Sequence, residues 1–341
     1  MSQNQHDISA VTLNAMQMRA DELKSMVVRT PVVPLQSSLI SRILDNGTLY
    51  LKLECFQHTG TFKARGALSV ARSIPIAKKS KGITAASAGN HAIASAWAAR
   101  QCNMSAKVVM QSSANPFRVA LARAENAEVI MKDGGPATFG EAERLQREEG
   151  RTFIHPFEGI NTTLGAAGVG LEFLEDIPDL EAVIVSVGGG GLISGVASAV
   201  KAINPHCQVY GVEPTGADSM SRSLVAKRPI TLDKVDTIAD SLSPPMALPF
   251  GYALCAAYVD DIVTVTDDDI CSSMIILQQE AKLAVEPAVG AAMAGLMLPL
   301  RKRLKGKRVG LIVCGANIDE EGYSKLLERG RTNILRLTKN S

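Results

Sequence analysis

Short apolar runs rich in β-branched residues alternate with longer segments of helical period along most of the chain. In the first half, Leu49–Glu54, Gly82–Ala86, Ala106–Met110 and Ala127–Met131 read as strands. Lys63–Ile74, Asn90–Gln101, Pro116–Glu125 and Ala137–Glu149 read as helices between them. Pro116 suits a first helical turn, where its missing N–H costs nothing. In the second half, Ala182–Val187 is a near-continuous apolar run, as expected of a strand buried on both faces. Gln208–Val212, Ile262–Val265 and Arg308–Cys314 are further strands. Helices are expected over Gly191–Ile203, from the capping-box start Thr266-Asp267-Asp268-Asp269 to Leu283, and from Pro287 to about Lys302. Strands alternating with helices predict right-handed βαβ crossovers and an α/β fold of open parallel sheets. Ligands of such sheets bind beyond the carboxyl ends of the strands, so the loops after each strand are where chemistry belongs.

Composition narrows the class. A length of 341 residues allows two domains, and a 46% hydrophobic content can fill two cores. With 36 Lys+Arg against 34 Asp+Glu, the chain lacks the basic footprint of a nucleic-acid binder. Six scattered cysteines without a CxxC pair argue against a disulfide framework or a zinc site. The uncharged stretch Ala182–Val200 is interrupted by four consecutive glycines and does not read as a membrane span. The polar start Met-Ser-Gln-Asn-Gln-His-Asp is unlike a signal peptide. A soluble, cytoplasmic protein is expected, with neither nucleic acid nor membrane as partner.

Four post-strand loops carry candidate chemistry. Lys63 enters its helix from the segment His58-Thr59-Gly60-Thr61-Phe62, and burial would make its amine a nucleophile able to form a Schiff base with an aldehyde. Alone, such a lysine is more often a solvated side chain. Ser87-Ala88-Gly89-Asn90-His91 offers amides and a helix start to a carboxylate, with Asn90 as a side-chain donor. An ordinary capped turn fits that segment equally well. Gly188-Gly189-Gly190-Gly191 lets backbone approach an anion at a helix amino terminus, which suits phosphate. The run matches neither GxGxxG nor GxxxxGK[ST], so a dinucleotide or nucleoside-triphosphate site lacks its signature. Cys314, before Gly315-Ala316-Asn317, places a thiol where it can meet a heterocyclic nitrogen; alone it reads as a buried cysteine.

A lysine, a phosphate cradle, a donor to a ring hydroxyl and a partner for a ring nitrogen together describe a site for pyridoxal 5′-phosphate (PLP). The segments Thr59–Gly66, Ser87–His91, Gly188–Gly191, Val285-Glu286-Pro287-Ala288 and Cys314–Asn317 resemble those of the threonine/serine dehydratase and serine racemase family. That family belongs to the fold type II, tryptophan synthase β-like PLP enzymes, and the likeness runs in order from about Arg29 to Asn317. It implies two open, mostly parallel αβα domains with PLP in the cleft between them. A large domain is expected at residues 1–79 and 161–341, with a small domain, 80–160, inserted in it. It also implies that Lys63 binds PLP and is the catalytic base, and that Phe62 packs on the ring. Asn90 would face the ring hydroxyl, Gly188 to Gly191 the phosphate, and Cys314 the ring nitrogen, with Glu286 at the ring's flank. Ser87, Ala88, Gly89, Asn90 and His91 would bind the substrate.

The implied reaction is α,β-elimination from a β-hydroxy amino acid, threonine or serine first, to a 2-oxo acid and ammonia. 3-Hydroxyaspartate and phenylserine also suit the chemistry. A neutral Cys314 delocalises a carbanion less than a charged ring-nitrogen partner, which favours prompt loss of the hydroxyl. Serine racemases carry a serine where this chain has Ala88, so racemisation is expected to be inefficient. Residues after Phe153-Ile154-His155-Pro156-Phe157 and around Ala239-Asp240-Ser241-Leu242 are candidates for the side-chain pocket. Some relatives hold a divalent cation (Mg²⁺ or Ca²⁺) at positions matching Glu213, Ala217 and Ser219; with serine at the last, a solvated loop is the better reading. The sequence ends soon after Asn317, with no carboxy-terminal regulatory domain expected, and the resemblance implies a homodimer or homotetramer.

Overall fold

A computed structural model describes residues 7–87 and 89–338. Among these residues the strands form two sheets. The larger has the order β1-β2-β10-β7-β8-β9, from β1 (Val32–Pro34), β2 (Thr48–Lys52), β7 (Ala182–Ser186), β8 (Gln208–Pro214), β9 (Asp261–Val265) and β10 (Arg308–Ile312). Only β1 runs antiparallel to its neighbour. The smaller, all-parallel sheet has the order β5-β4-β3-β6, from β3 (Ile83–Ser87), β4 (Ala106–Gln111), β5 (Glu128–Lys132) and β6 (Thr152–Phe153).

The helices are α1 (Leu13–Leu23), α2 (Ser38–Ile43), α3 (Lys63–Ser73), α4 (Ile76–Lys79), α5 (Asn90–Gln101), α6 (Pro116–Ala124), α7 (Gly134–Glu149) and α8 (Ile160–Asp176). They continue with α9 (Gly191–Ile203), α10 (Ser219–Ala226), α11 (Pro249–Tyr258), α12 (Asp267–Ile276), α13 (Pro287–Met297), α14 (Glu320–Arg331) and α15 (Ile334–Thr338). The expected strand–helix alternation is present in both halves. None of the described helices is long and apolar enough to cross a membrane.

Each sheet has its own core. Leu49, Leu51, Val183, Ile184, Val209 and Leu311 centre the larger one. The smaller sheet packs Ile83, Ala85 and Val108 against α5 and against Ala64, Leu68 and Ala71 of α3. Helix α8 joins the two through glycines. A Cβ on Gly165 would lie 2.5 Å from the Arg65 carbonyl, and a Cβ on Gly195 would lie 2.6 Å from the Ala167 amide. Backbone-to-backbone approach therefore sets α3, which begins with Lys63, beside α9, which begins at the glycine run.

Two helix ends differ from the sequence reading. The capping box at Thr266 is formed, but α12 stops at Ile276 and gives way to a π-helical turn, Leu277–Ala281. Lys282 then takes a left-handed conformation (φ 60°), and the chain runs on to Glu286, which caps α13. Helix α13 ends at Met297 and a 3₁₀ turn follows at Arg301–Leu304. The insertion of a wider turn, a known disruption of the α-ladder, is what frees residues 283–286 to enter the cleft.

Candidate active site

Lys63 is held from both sides of the cleft. The Phe62 amide donates to the Cys314 carbonyl at 3.0 Å, and Thr61 forms an isolated antiparallel bridge with Gly315. The first residue of α3 is thereby fastened to the segment that follows β10. Lys63 Nζ donates to the Pro156 carbonyl at 2.6 Å and lies 5.1 Å from the centre of the Phe62 ring. Burial pulls the ammonium down to about 8, with Cys314 and Glu286 opposing the shift. A backbone carbonyl is a weaker anchor for an ammonium than a carboxylate, so this amine can shed its proton near physiological pH.

The loop Ser87–His91 follows β3. Ser87 Oγ accepts from the Gly89 amide at 2.9 Å, while Ala88 lies outside the described residues. Asn90 Nδ2 donates to both carboxylate oxygens of Glu286, and Asn90 Oδ1 accepts from Asn317 Nδ2 at 2.9 Å. His91 Nε2 pairs with the Ile154 carbonyl at 2.8 Å, and burial lowers its imidazole to about 3. It is therefore a neutral, structurally committed ring. Burial raises the Glu286 carboxyl, opposed chiefly by the charge of Arg118 and then by the Asn90 hydrogen bond.

The glycine run stands between β7 and α9. Gly190 is left-handed (φ 89°), a conformation that favours glycine. A Cβ on Gly189 would collide with the Phe157 ring, and one on Gly191 would lie 2.8 Å from Phe157 Cα. A Cβ on Gly188 would sit 3.0 Å from Leu242 Cα and 3.1 Å from the Ser241 carbonyl. Both segments named as candidate pocket walls therefore border this run. The first amides of α9 have no partner inside the helix, so they are donors for an anion. Cys314 is buried, and burial together with Glu286 pushes its thiol well above its ordinary range, so it stays neutral.

The structure thus brings Lys63, Phe62, Asn90, Glu286, Cys314 and the neighbours of Gly188–Gly191 to one cleft between the two sheets. Sequence reasoning gives no role to three contributors. Pro156 supplies the carbonyl for Lys63, Asn317 fixes Asn90, and Arg118 reaches Asn317, Asp240 and Glu286. Asn317 closes a motif already singled out. Nothing in the pattern of α6 distinguishes Arg118 from a surface arginine.

Residues 23–315 match the family described as "Pyridoxal-phosphate dependent enzyme". The chain belongs to that family. It is 46% identical to a phenylserine dehydratase of Ralstonia pickettii, over 82% of this chain and 86% of that protein. It is 35% identical to an L-threonine ammonia-lyase of Thermotoga maritima, over 94% of this chain and 79% of the other. The solved structure of maize serine racemase superposes with a TM-score of 0.87 at 32% identity, over 94% of this chain and 99% of that one. The two-sheet architecture is accordingly that of the fold type II enzymes.

As a PLP enzyme, the chain has residues that fit the cofactor. The glycine backbone is bare where any Cβ would collide, it lies at the start of a 13-residue helix, and the buried Lys63 amine can be neutral. Cys314 offers a neutral thiol for a ring nitrogen.

A divalent cation fits the chain less well. Glu213 Oε1 and Oε2 accept from the Met220 and Ser221 amides at 2.9 and 2.8 Å, and burial raises the carboxyl to about 8. Ser219 Oγ is buried without a hydrogen-bond partner, Ala217 is buried, and among the described residues no group of three acidic, His or Cys side chains can hold a metal. One carboxylate already capped by α10 is a poor set for an ion that takes about six to eight oxygens.

Proposed function

We propose that this enzyme dehydrates and deaminates β-hydroxy amino acids carrying an apolar β-substituent, with phenylserine ahead of threonine and serine, releasing a 2-oxo acid and ammonia. The observation that carries the reading is the Lys63 amine, held by the Pro156 carbonyl, pulled by burial to about 8 and within electrostatic reach of Cys314 and Glu286. PLP, when bound, supplies the electron sink for a carbanion at the substrate Cα. Lys63 holds the cofactor and then, as a free amine, takes the α-proton. Ser87, Gly89, Asn90 and the start of α5 receive the substrate carboxylate. Gly188 to Gly191 hold the phosphate, and neutral Cys314 meets the ring nitrogen.

An apolar substituent class is supported by the Phe157 and Pro244 side chains beside the glycine run, which the Ser241 carbonyl also borders. The nearby cations are committed, Lys63 to chemistry and Arg118 to Asp240 and Glu286, which leaves little to receive the second carboxylate of 3-hydroxyaspartate. The relation to phenylserine dehydratase at 46% identity moves phenylserine ahead of the threonine and serine preferred on sequence alone. Release of 2-oxo acid from L-phenylserine, L-threonine, L-serine and 3-hydroxyaspartate tests the order; any of the last three as the best substrate would overturn it.

Serine racemase is the second reading, favoured by the maize structure. Alanine at position 88 has no proton to give, so D-serine is expected to form from L-serine more slowly than pyruvate. Residues 80–160 form a small domain inserted in the large one of 1–79 and 161–341, in a cytoplasmic homodimer or homotetramer whose mass light scattering would measure.

A further inference from the structure

One guanidinium joins the segments that line the cleft. Arg118 is the third residue of α6 and is 5% exposed. Its stem crosses Gly89, where a Cβ would collide with Arg118 Cδ. Nε donates to the Asn317 carbonyl at 2.8 Å, Nη1 pairs with Asp240, and Nη2 lies 3.6 Å from Glu286 Oε2. Beside it Asn115, the cap of α6, donates to Asp319 at 2.5 Å. The start of α6, which belongs with the smaller sheet, is thus fastened to three separate segments of the larger unit.

The three acceptors differ in their need for a cation. The Asp240 side chain is 48% exposed and water can solvate it; the Glu286 side chain is 3% exposed and water cannot. The charged or titratable groups facing Glu286 are Arg118, Lys63, Asp240 and the thiols of Cys314 and Cys55. Lys63 must be a neutral amine before it can act as a base and is charged only while it holds the α-proton, which leaves Arg118 as the permanent cation.

We propose that Arg118 is a positioning residue for the elimination: docked across the cleft, it keeps the Glu286 carboxylate charged and thereby keeps Asn90 turned toward the cofactor ring. The inference rests on the PLP reading of the cleft. With α6 drawn away, Glu286 would be a buried carboxylate without its cation, and such a group takes up a proton. A protonated Glu286 no longer accepts from Asn90 through two charged oxygens, and the amide is released. The docking of Arg118 and the ionisation of Glu286 are then coupled.

The test uses PLP-loaded enzyme, read by bound-cofactor absorbance as well as kinetics. Arg118→Met is expected to lower kcat/KM by at least about 30-fold, the scale of a buried charge left unpaired. Near neutral pH its absorbance spectrum should match that of Glu286→Gln and not the wild type. In the Glu286→Gln background the same change should add less than about threefold, because both act through one group. Arg118→Lys keeps the charge without the fork, so it should restore the wild-type spectrum while kcat/KM stays about tenfold down. A lowered Tm with an unchanged spectrum, or independent losses in the double variant, overturns the proposal. If Arg118→Met does not fold, Arg118→Lys combined with Glu286→Gln decides by the same additivity criterion. Wild-type enzyme that gains no absorbance from PLP, or forms no 2-oxo acid, would instead sink the reading of the activity itself.

Discussion

Asn90 donates its side-chain amide to both carboxylate oxygens of Glu286, at 3.0 and 2.8 Å, across 196 residues of sequence. Each residue stands at a helix start: Asn90 opens α5 and Glu286 caps α13. Asn317 Nδ2 donates to Asn90 Oδ1 and also, at 2.8 Å, to the Thr59 carbonyl. The amide is therefore oriented by protein at both ends before any ring oxygen reaches it, as a preorganised site requires.

That relationship predicts a pH-dependent defect for Asn90→Asp. The new side chain is nearly isosteric but faces a buried carboxylate, and two such groups share one proton until pH rises. At low pH the pair mimics amide and carboxylate; at high pH both ionise and repel. Cofactor affinity, followed by absorbance titration, should fall by roughly tenfold or more between pH ~6 and ~9 relative to wild type. A constant ratio across that range would sink the idea.

The lowered Lys63 ammonium predicts how apo-protein takes up PLP. Only the neutral amine attacks an aldehyde, and its fraction is set by a midpoint of about 8. The rate of cofactor incorporation should rise about tenfold per pH unit below that midpoint and level off above it. A plateau reached only near pH ~10.5 would show an ordinary solvated lysine. Lys63→Ala should lose the visible band and at least about 10³-fold in kcat.

How much of this was written in the chain depends on the range of each signal. Strands such as β7 and helices such as α9 carry their own local pattern, and the loops between them carry Lys63, Asn90, the glycines and Cys314. Helix α8 carries no such signal, because a helix buried on nearly every face by Thr163, Gly165, Ala166, Gly168 and Leu171 has no polar stripe to mark its period. The break in α12 at Leu277 follows no glycine or proline and depends on where residues 283–286 must go. Arg118 and Pro156 matter only through partners far along the chain, Arg118 meeting Asp240 across 122 positions and Pro156 meeting Lys63 across 93, which periodicity cannot register.

Phe157 seals the glycine run and predicts a coupled pair of variants. Its ring stacks edge-on against His155, with centroids 4.7 Å apart, and covers Gly189 and Gly191. Gly189→Ala should destabilise the protein by roughly 1–3 kcal/mol through overpacking and weaken PLP binding. In a Phe157→Ala background the added methyl meets open space, so most of the Gly189→Ala cost should vanish in urea unfolding. Equal costs in both backgrounds would place the clash elsewhere.

Behind Lys63 lies a group of four charges, with Asp176 at its edge 4.0 Å from Lys52 Nζ, and its balance predicts a stability effect with an internal control. Glu54 accepts from Thr30 Oγ1 at 2.5 Å and from Arg65 Nε and Nη2 at 2.8 and 2.9 Å. Glu172 accepts from Lys52 Nζ and Arg65 Nη1, each at 2.7 Å. The Lys52 and Glu54 side chains are 0% exposed and that of Arg65 is 3%, so two positive and two negative charges are matched where water has little access. Burial already lowers the Lys52 ammonium, against the pull of Glu172. Glu54→Gln leaves one positive charge in excess and should cost about 3 kcal/mol, seen as a lower urea midpoint at unchanged slope. Adding Lys52→Met removes the surplus charge, so the double variant should be more stable than Glu54→Gln alone. Because Arg65 lies two residues after Lys63 on α3, Glu54→Gln should also lower PLP occupancy at a fixed cofactor concentration, and the double variant should regain part of it. Two variants equally unstable would show that individual hydrogen bonds, and not charge balance, hold α3 in place.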